Sequence, residues 1–524
     1  MYRLYSFYCT LFILLLTARI SSQVPKSAEF NGSVVQARPS GNSIGVIAVS
    51  GDTVLIQSDD HLDITTDDAS TWTSFSRSDG LYKGTISAIA IVGSKIFVAT
   101  IFDSSLSPRP TAGVGGGITY STNFGATWLH VPQPVDPPSP LYYPLVRDNG
   151  DTISVRATPR AIDNVIYDLA VTDSSIWIAS FAGVVRHATM SPDGTIGPFT
   201  VATLPSDTMN EVRADRFYEF VVAPCDSGLN DCSRNVNHRG FSVALARDGV
   251  WVGTGGGINF SPDNGLSWKR YTAQNSGISG NFVVALGEQI YSEDGLTYRN
   301  IWAAGNRALD PAESNGVNVT ADSGATWRVV LQGAFVNNMA FDGKTVWVAA
   351  NGGLFRSDDL GLTWEKRETL VDAMTGDRTY TTEFSAVGVD QVNGIVYVGT
   401  GDGLCISYDR GETWSIPRAF KTPGVAGTPN SYAYPNPFSP SVEPNVARFQ
   451  FDETGLNSAT DRVTIRIYDF AMDLVSTVAD EQPISQTVAW NGRNNKGQRV
   501  ANGTYVYIIQ AGKKKFWGKI TVRN

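Results

Sequence analysis

Short apolar runs recur in pairs between residues 44 and 407. The first members read "IGVIAVS", "ISAIAIV", "IYDLAVT", "FSVALAR", "FVVALGE", "VNNMAFD" and "FSAVGVD". A short turn separates each from a second run: "VLIQSDDHLDIT" (54–65), "IFVAT" (96–100), "IWIASFAGVVRHA" (176–188), "VWVGTGGGINFS" (250–261), "IWAAG" (301–305), "VWVAANGGLFRS" (346–357) and "VYVGTGDGLCIS" (396–407). Runs of this length, apolar or alternating and bounded by Gly, Asp and Ser, predict strands. In the longer copies a glycine-type turn leads straight into a third strand.

A polar frame closes most copies. It reads "SPDNGLSW" (261–268), "TADSGATW" (320–327), "SDDLGLTW" (357–364) and "SYDRGETW" (407–414). It is weaker in "STNFGATW" (121–128), where Asn123 replaces the aspartate, and in "TTDDASTW" (65–72), where Ala69 replaces the glycine. "SPDGTIG" (191–197) is the remnant in the third copy. We call the frame the box. Half of the twelve tryptophans end one. A carboxylate in a tight turn accepts backbone N–H bonds, the glycine permits positive φ, and the tryptophan packs between neighbouring units. Asp67, Asn123, Asp263, Asp322, Asp359 and Asp409 are therefore read as turn residues, not catalysts. Each unit predicts four antiparallel strands. One such sheet cannot bury both faces, whereas radial stacking buries them and leaves short edges. The expectation is all-β: a seven-bladed β-propeller over 23–420.

Pro, Gly and Ser crowd 421–431, a linker. Beyond it, 432–524 alternates cleanly through "ARFQFDE", "RVTIRIYDF" and "GTYVYIIQAGKKKFWGKITVRN". This predicts a small Ig-like β-sandwich. At the other end, 1–22 carries Arg3 and then an apolar run too short to span a bilayer, which reads as a signal peptide; no other segment reads as membrane-spanning.

A net charge of −9 argues against a nucleic-acid partner. The four histidines are scattered, so no metal site and no cofactor are expected. Cys225 and Cys232 in "CDSGLNDC" are placed to close a disulfide loop in an oxidising compartment, and Cys405 reads as a buried small hydrophobe.

Candidate ligand residues lie in long insertions. Loops after the second and fourth strands of a blade share one face, and most of the long ones here are of that kind: 101–114, 132–162, 203–238, 303–315 and 369–383. They are expected to converge on a rim around the central channel. "NEVRADRFYEF" offers Arg213, Asp215, Arg216, Tyr218 and Glu219, and "GDRTYTTEF" offers Asp377, Arg378, Tyr380 and Glu383. Aromatics and arginines in such clusters suit sugar rings or acidic groups.

The box, S-x-D-x-G-x-T-W, resembles the Asp-box or BNR repeat of sialidase-like propellers, also found in xyloglucanase-type glycosidases, sortilin-type receptors and photosystem assembly factors. The resemblance covers about 40–420 and implies fold more than activity. The Arg-Ile-Pro-type motif of sialidases is not matched; the nearest stretch is "QARPSG" around Arg38. Residues 432–524 resemble the immunoglobulin-like domain related to the flagellar hook-capping protein, on "YPNPF", "VTIRIYD", "AWNGRNNKG" and "NGTYVYIIQAG". Relatives of that domain serve as C-terminal sorting signals for type IX secretion. Together these imply a secreted or cell-surface bacterial protein. Its rim is expected to bind an extracellular glycan or surface protein, and its C-terminal domain is expected to engage secretion machinery. The alternative is a glycoside hydrolase.

Overall fold

The computed structural model describes residues 34–103, 113–223, 235–308, 310–425, 427–442 and 444–524. Among them, seven antiparallel sheets follow one another along 34–407. Sheet 2 shows the plan, with Thr85–Val92, Lys95–Asp103, Gly113–Ser121 and Leu129–Val131 paired in chain order. Sheets 3, 5 and 6 repeat it, their first strands being Ile166–Val171, Phe282–Glu293 and Phe335–Asp342. Sheets 1 and 4 gain an outer fifth strand, Val34–Gln36 and Glu211–Val212. Sheet 7 has Phe384–Asp390, Ile395–Thr400 and Gly403–Ser407, extended by a bridge from Ile406 to Ser415.

These sheets form a β-propeller. Their apolar faces meet radially, and the last meets the first: Ala386, Tyr397 and Leu404 of sheet 7 share a core with Ile44, Ile56 and Trp72 of sheet 1. Every first strand breaks register once, as between Ile86 and Ala88, Ile166 and Asp168, or Val336 and Asn338. A bulge turns side chains out of the regular alternation. Here they stitch neighbouring first strands together. Ser87 Oγ donates to Ile166 O (2.7 Å) and Asn337 Nδ2 to Phe384 O (2.8 Å). Asp168 Oδ2 accepts Val243 N–H (2.9 Å) and Asn338 Oδ1 accepts Val387 N–H (3.0 Å).

The boxes join third to fourth strands and share one geometry. In 357–364, Ser357 Oγ donates to Asp359 Oδ1 and accepts Gly361 N–H, both at 2.8 Å. Asp359 then accepts Thr363 N–H (2.8 Å) and its hydroxyl (2.7 Å). Asn123 keeps the frame by reversing one bond, since its Nδ2 donates to Thr127 Oγ1 (3.0 Å). The glycine has a second constraint besides φ: a Cβ at Gly411 would stand 2.3 Å from the Trp347 ring of sheet 6. The box tryptophans pack backwards onto the preceding sheet, as Trp414 does on Trp347 (6.3 Å) and Trp268 on Trp177 (6.1 Å). The remnant at 191–197 is a tighter turn, with Asp193 accepting Thr195 N–H (3.0 Å).

Two features depart from the expected pattern. The insertion before sheet 3 folds into its own small sheet, Tyr142–Val146 and Thr152–Arg156 with Val221–Val222, over a core of Ile153, Val155 and Val184. The first two strands of sheet 5, Phe282–Glu293 and Leu296–Asn306, run on as a long hairpin where the other sheets have short turns. Residues 1–22, Cys225 and Cys232 lie outside the described residues. Cys405 is free and wholly buried, and burial pushes its thiol up to about 12.

Beyond 430, a three-stranded sheet (Ser431–Tyr434, Ala447–Phe451, Ala489–Trp490) packs on a four-stranded one (Arg462–Tyr468, Leu474–Pro483, Gly503–Ala511, Lys514–Val522). Phe449, Ile465, Trp490, Tyr507 and Ile509 fill the space between. The outward face of the three-stranded sheet meets the propeller. Tyr432 Oη donates to Lys421 O (2.6 Å), and the Tyr434 ring stands 6.0 Å from that of Phe420. Arg448 enters the propeller itself.

Candidate aromatic channel mouth

The two sets of candidate rim residues do not converge. Glu211–Val212 pairs with the outermost strand of sheet 4, Trp268–Tyr271, so 210–220 runs along the outside of the ring. Arg213 forks onto Asp215 through two 2.9 Å bonds, in solvent. Tyr218 Oη accepts Arg213 N–H (3.0 Å), and Tyr218 N donates to the buried Asp151 (2.9 Å). Arg216 offers its carbonyl to the buried Arg147 (3.1 Å). Glu219 is exposed on the same segment. The physical reason is the open edge of sheet 4, whose unpaired backbone groups the insertion satisfies.

The second set lies under the C-terminal sandwich. Asp372 bridges the outer edge of sheet 7 at Trp414. Asp377 is buried, with Arg418 Nε 2.7 Å away and Arg448 Nε 3.2 Å away. The Arg378 carbonyl accepts from both arginines at 3.0 Å. Tyr380 N donates to Asp402 (2.9 Å), and the guanidinium groups of Arg378 and Arg448 face the Tyr380 ring at 5.0 and 5.2 Å. Only Glu383, just before sheet 7, stands at the entrance of a first strand. The expected shared rim is therefore corrected: Asp377 is an interdomain residue, and 210–220 is an edge clamp.

The entrance to the channel shows another arrangement. First strands line the axis, and their leading residues sit on the face where second strands end. Tyr167 and Phe241, both at bulges, have ring centroids 5.4 Å apart. Phe282, leading sheet 5, meets Phe241 edge-on at 4.7 Å, and Phe181, after the second strand of sheet 3, lies 5.9 Å from it. The Arg239 guanidinium covers Phe181 at 5.2 Å. On sheet 2, Tyr82 stacks on His130 (4.1 Å), and Lys83 Nζ lies 4.0 Å from the centroid of Phe102. An aromatic cluster thus spans sheets 3 to 5, and Tyr82, stacked over the outermost strand of sheet 2, stands apart from it. Burial lowers the His130 pKa, so a neutral imidazole backs Tyr82.

Sheet 1 adds a carboxyl. Asp59 sits after the second strand at a φ of 54°. Burial, then the neighbouring Asp60, pushes its pKa up to about 6. Among the described residues no cluster of three or more His, Cys, Asp or Glu could hold a metal. No helix there is long and apolar enough to cross a membrane. Aligning the starts of the first strands would have flagged Tyr167, Phe241 and Phe282 from sequence, because each copy from the third on carries an aromatic there. Nothing comparable flagged Arg448.

Residues 446–515 match the FlgD Ig-like domain family. Part of the chain is similar to the xyloglucanase Xgh74A of Acetivibrio thermocellus, 32% identical over 121 residues. That stretch is 22% of this chain and 12% of the xyloglucanase, so the match spans a small part of that relative. Similar solved structures include YCF48 from Cyanidioschyzon merolae, at 14% identity and TM-score 0.38, covering 71% of this chain and 97% of that one. An ancestral GH74 enzyme is similar at 13% identity and TM-score 0.46, covering 94% and 64%. PorZ, a surface component of the type-IX secretion system of Porphyromonas gingivalis, is similar at 15% identity and TM-score 0.20, covering 98% and 88%.

Proposed function

We propose that this is an extracellular binding protein. We read its seven sheets as the blades of an Asp-box propeller whose channel mouth holds a glycan chain. In this reading the leader at 1–22 directs export and the C-terminal domain engages secretion machinery or the cell surface. The aromatic cluster of Tyr167, Phe181, Phe241 and Phe282 carries the proposal. The half-buried rings of Tyr167, Phe181 and Phe282 offer apolar surface to sugar rings. The stretch of likeness to a xyloglucanase supports a polysaccharide over a protein ligand. Calorimetry of the full chain with xyloglucan oligosaccharides tests it, using Tyr167→Ala and Phe282→Ala. Each change is expected to weaken binding about tenfold. Wild-type affinity in both variants would remove the mouth from consideration.

A second reading, glycoside hydrolysis, is favoured by one observation. Burial pushes the Asp59 carboxyl up to about 6, a range that suits a general acid. Release of reducing ends from xyloglucan, abolished by Asp59→Asn, would establish it. Turnover unchanged in that variant would dismiss Asp59.

A further inference from the structure

We propose that the outward face of the four-stranded sheet in the C-terminal sandwich binds a polyanionic polysaccharide. The three-stranded sheet turns Arg448 and Tyr434 toward the propeller, so the four-stranded sheet turns its own outer face away from it. Along the edge strand Lys514–Val522, Ile520 and Val522 point into the core, and Lys515, Trp517 and Lys519 alternate on the other side. Same-face neighbours on a strand lie about 7 Å apart. Trp517 is 67% exposed.

Register extends the face inward. Trp517 pairs with Ile508, which pairs with Arg466, about 9.5 Å away across two strand spacings. Lys519 pairs with Val506, which pairs with Tyr468. Ile508, Val506 and Tyr468 are only half-buried. The face is thus an apolar and aromatic strip bordered by cations on both sides. Neither Lys515 nor Lys519 forms an ion pair among the described residues, and Arg466 has only the exposed Asp480, at 3.7 Å. Residues 432–524 carry more Lys and Arg than Asp and Glu, against the acidic balance of the whole chain.

Charge complementarity selects the occupant. Cations about one or two strand spacings from an exposed indole suit a chain alternating pyranose faces with carboxylates or sulfates. An anionic bilayer fits less well. The most protruding apolar group, Phe470 at 94% exposure, is flanked by Asp469 and Asp473, which such a surface repels.

Affinity electrophoresis of the full chain through gels containing polygalacturonate tests the proposal. Neutral dextran serves as control, and phosphatidylglycerol vesicles are assayed separately. Polygalacturonate is expected to retard the protein, and added salt to abolish the retardation. Trp517→Ala and the double change Lys515→Ala/Lys519→Ala are each expected to weaken binding about tenfold. These side chains are exposed, so unchanged melting temperatures would show that the fold is intact. Phe282→Ala, at the channel mouth, is expected to have no effect, which separates this site from the other. No retardation, retardation unaffected by Trp517→Ala, or binding to vesicles alone would each overturn the proposal.

Discussion

Arg448 of the C-terminal sandwich grips Asp402 of the propeller through two hydrogen bonds, of 2.8 and 2.9 Å. Arg418 and Asp377 complete a cluster of two cations and two anions, all at most 5% exposed. Burial opposes the charge on Asp402, but Arg418 and Arg448 outweigh it and hold the carboxyl below its usual range. The C-terminal domain is therefore seated, not tethered.

Removing one member leaves a buried charge without compensation, which costs about 3–5 kcal/mol. Arg448→Ala is expected to unseat the sandwich while leaving both domains folded. Limited proteolysis should then cut within 421–431, and calorimetry should resolve two transitions where the native chain shows more coupled unfolding. Resistance equal to the native chain would show that the cluster does not hold the domains.

Ala69 occupies the box position that is glycine elsewhere, at a φ of 63° after Asp68 at 57°. A side chain in the left-handed region costs about 1 kcal/mol. Ala69→Gly is expected to stabilise by a similar amount, seen as a higher urea midpoint with unchanged slope. Gly411→Ala should do the opposite and more strongly, because its Cβ would meet Trp347.

The box acids stabilise turns. Asp263 accepts Ser267 N–H (2.8 Å) and the hydroxyls of Ser261 (2.9 Å) and Ser267 (2.6 Å). Asp263→Ala is expected to cost about 1–2 kcal/mol of stability, read from the urea midpoint. Asp359 and Asp409 are held down to about 2, first by the hydroxyls of Thr363 and Thr413. Their folded pKa values lie below the unfolded ones. The stability they contribute is complete above about pH 4 and is lost as pH falls toward 2. Acid titration of the melting temperature checks this, and Asp359→Asn should flatten the curve in that window.

His238 is wholly buried, with Nδ1 accepting Ala223 N–H (3.2 Å) and Nε2 donating to Leu204 O (3.1 Å). Burial lowers its pKa, so the unfolded chain takes up the proton first. Stability from this group is complete above about pH 6.5 and falls as pH drops below that value. His238→Gln is expected to reduce the loss of melting temperature between pH 7 and pH 5, whatever its effect at pH 8.

The sequence by itself determined the local structure. The paired apolar runs specify strands, the boxes specify turns through side-chain oxygens two and four residues from their partners, and the glycines specify positive φ. All of these act within one hairpin, so a linear pattern can encode them. Edge clamping and domain seating were decided only by the tertiary structure. Residues 210–220 and 369–383 read as free loops because their partners, the outer edge of sheet 4, the outer edge of sheet 7 and Arg448, lie tens of residues away. An unpaired strand edge or a buried carboxylate takes whatever complementary group the folded chain brings to it, and that choice is made in space rather than along the sequence.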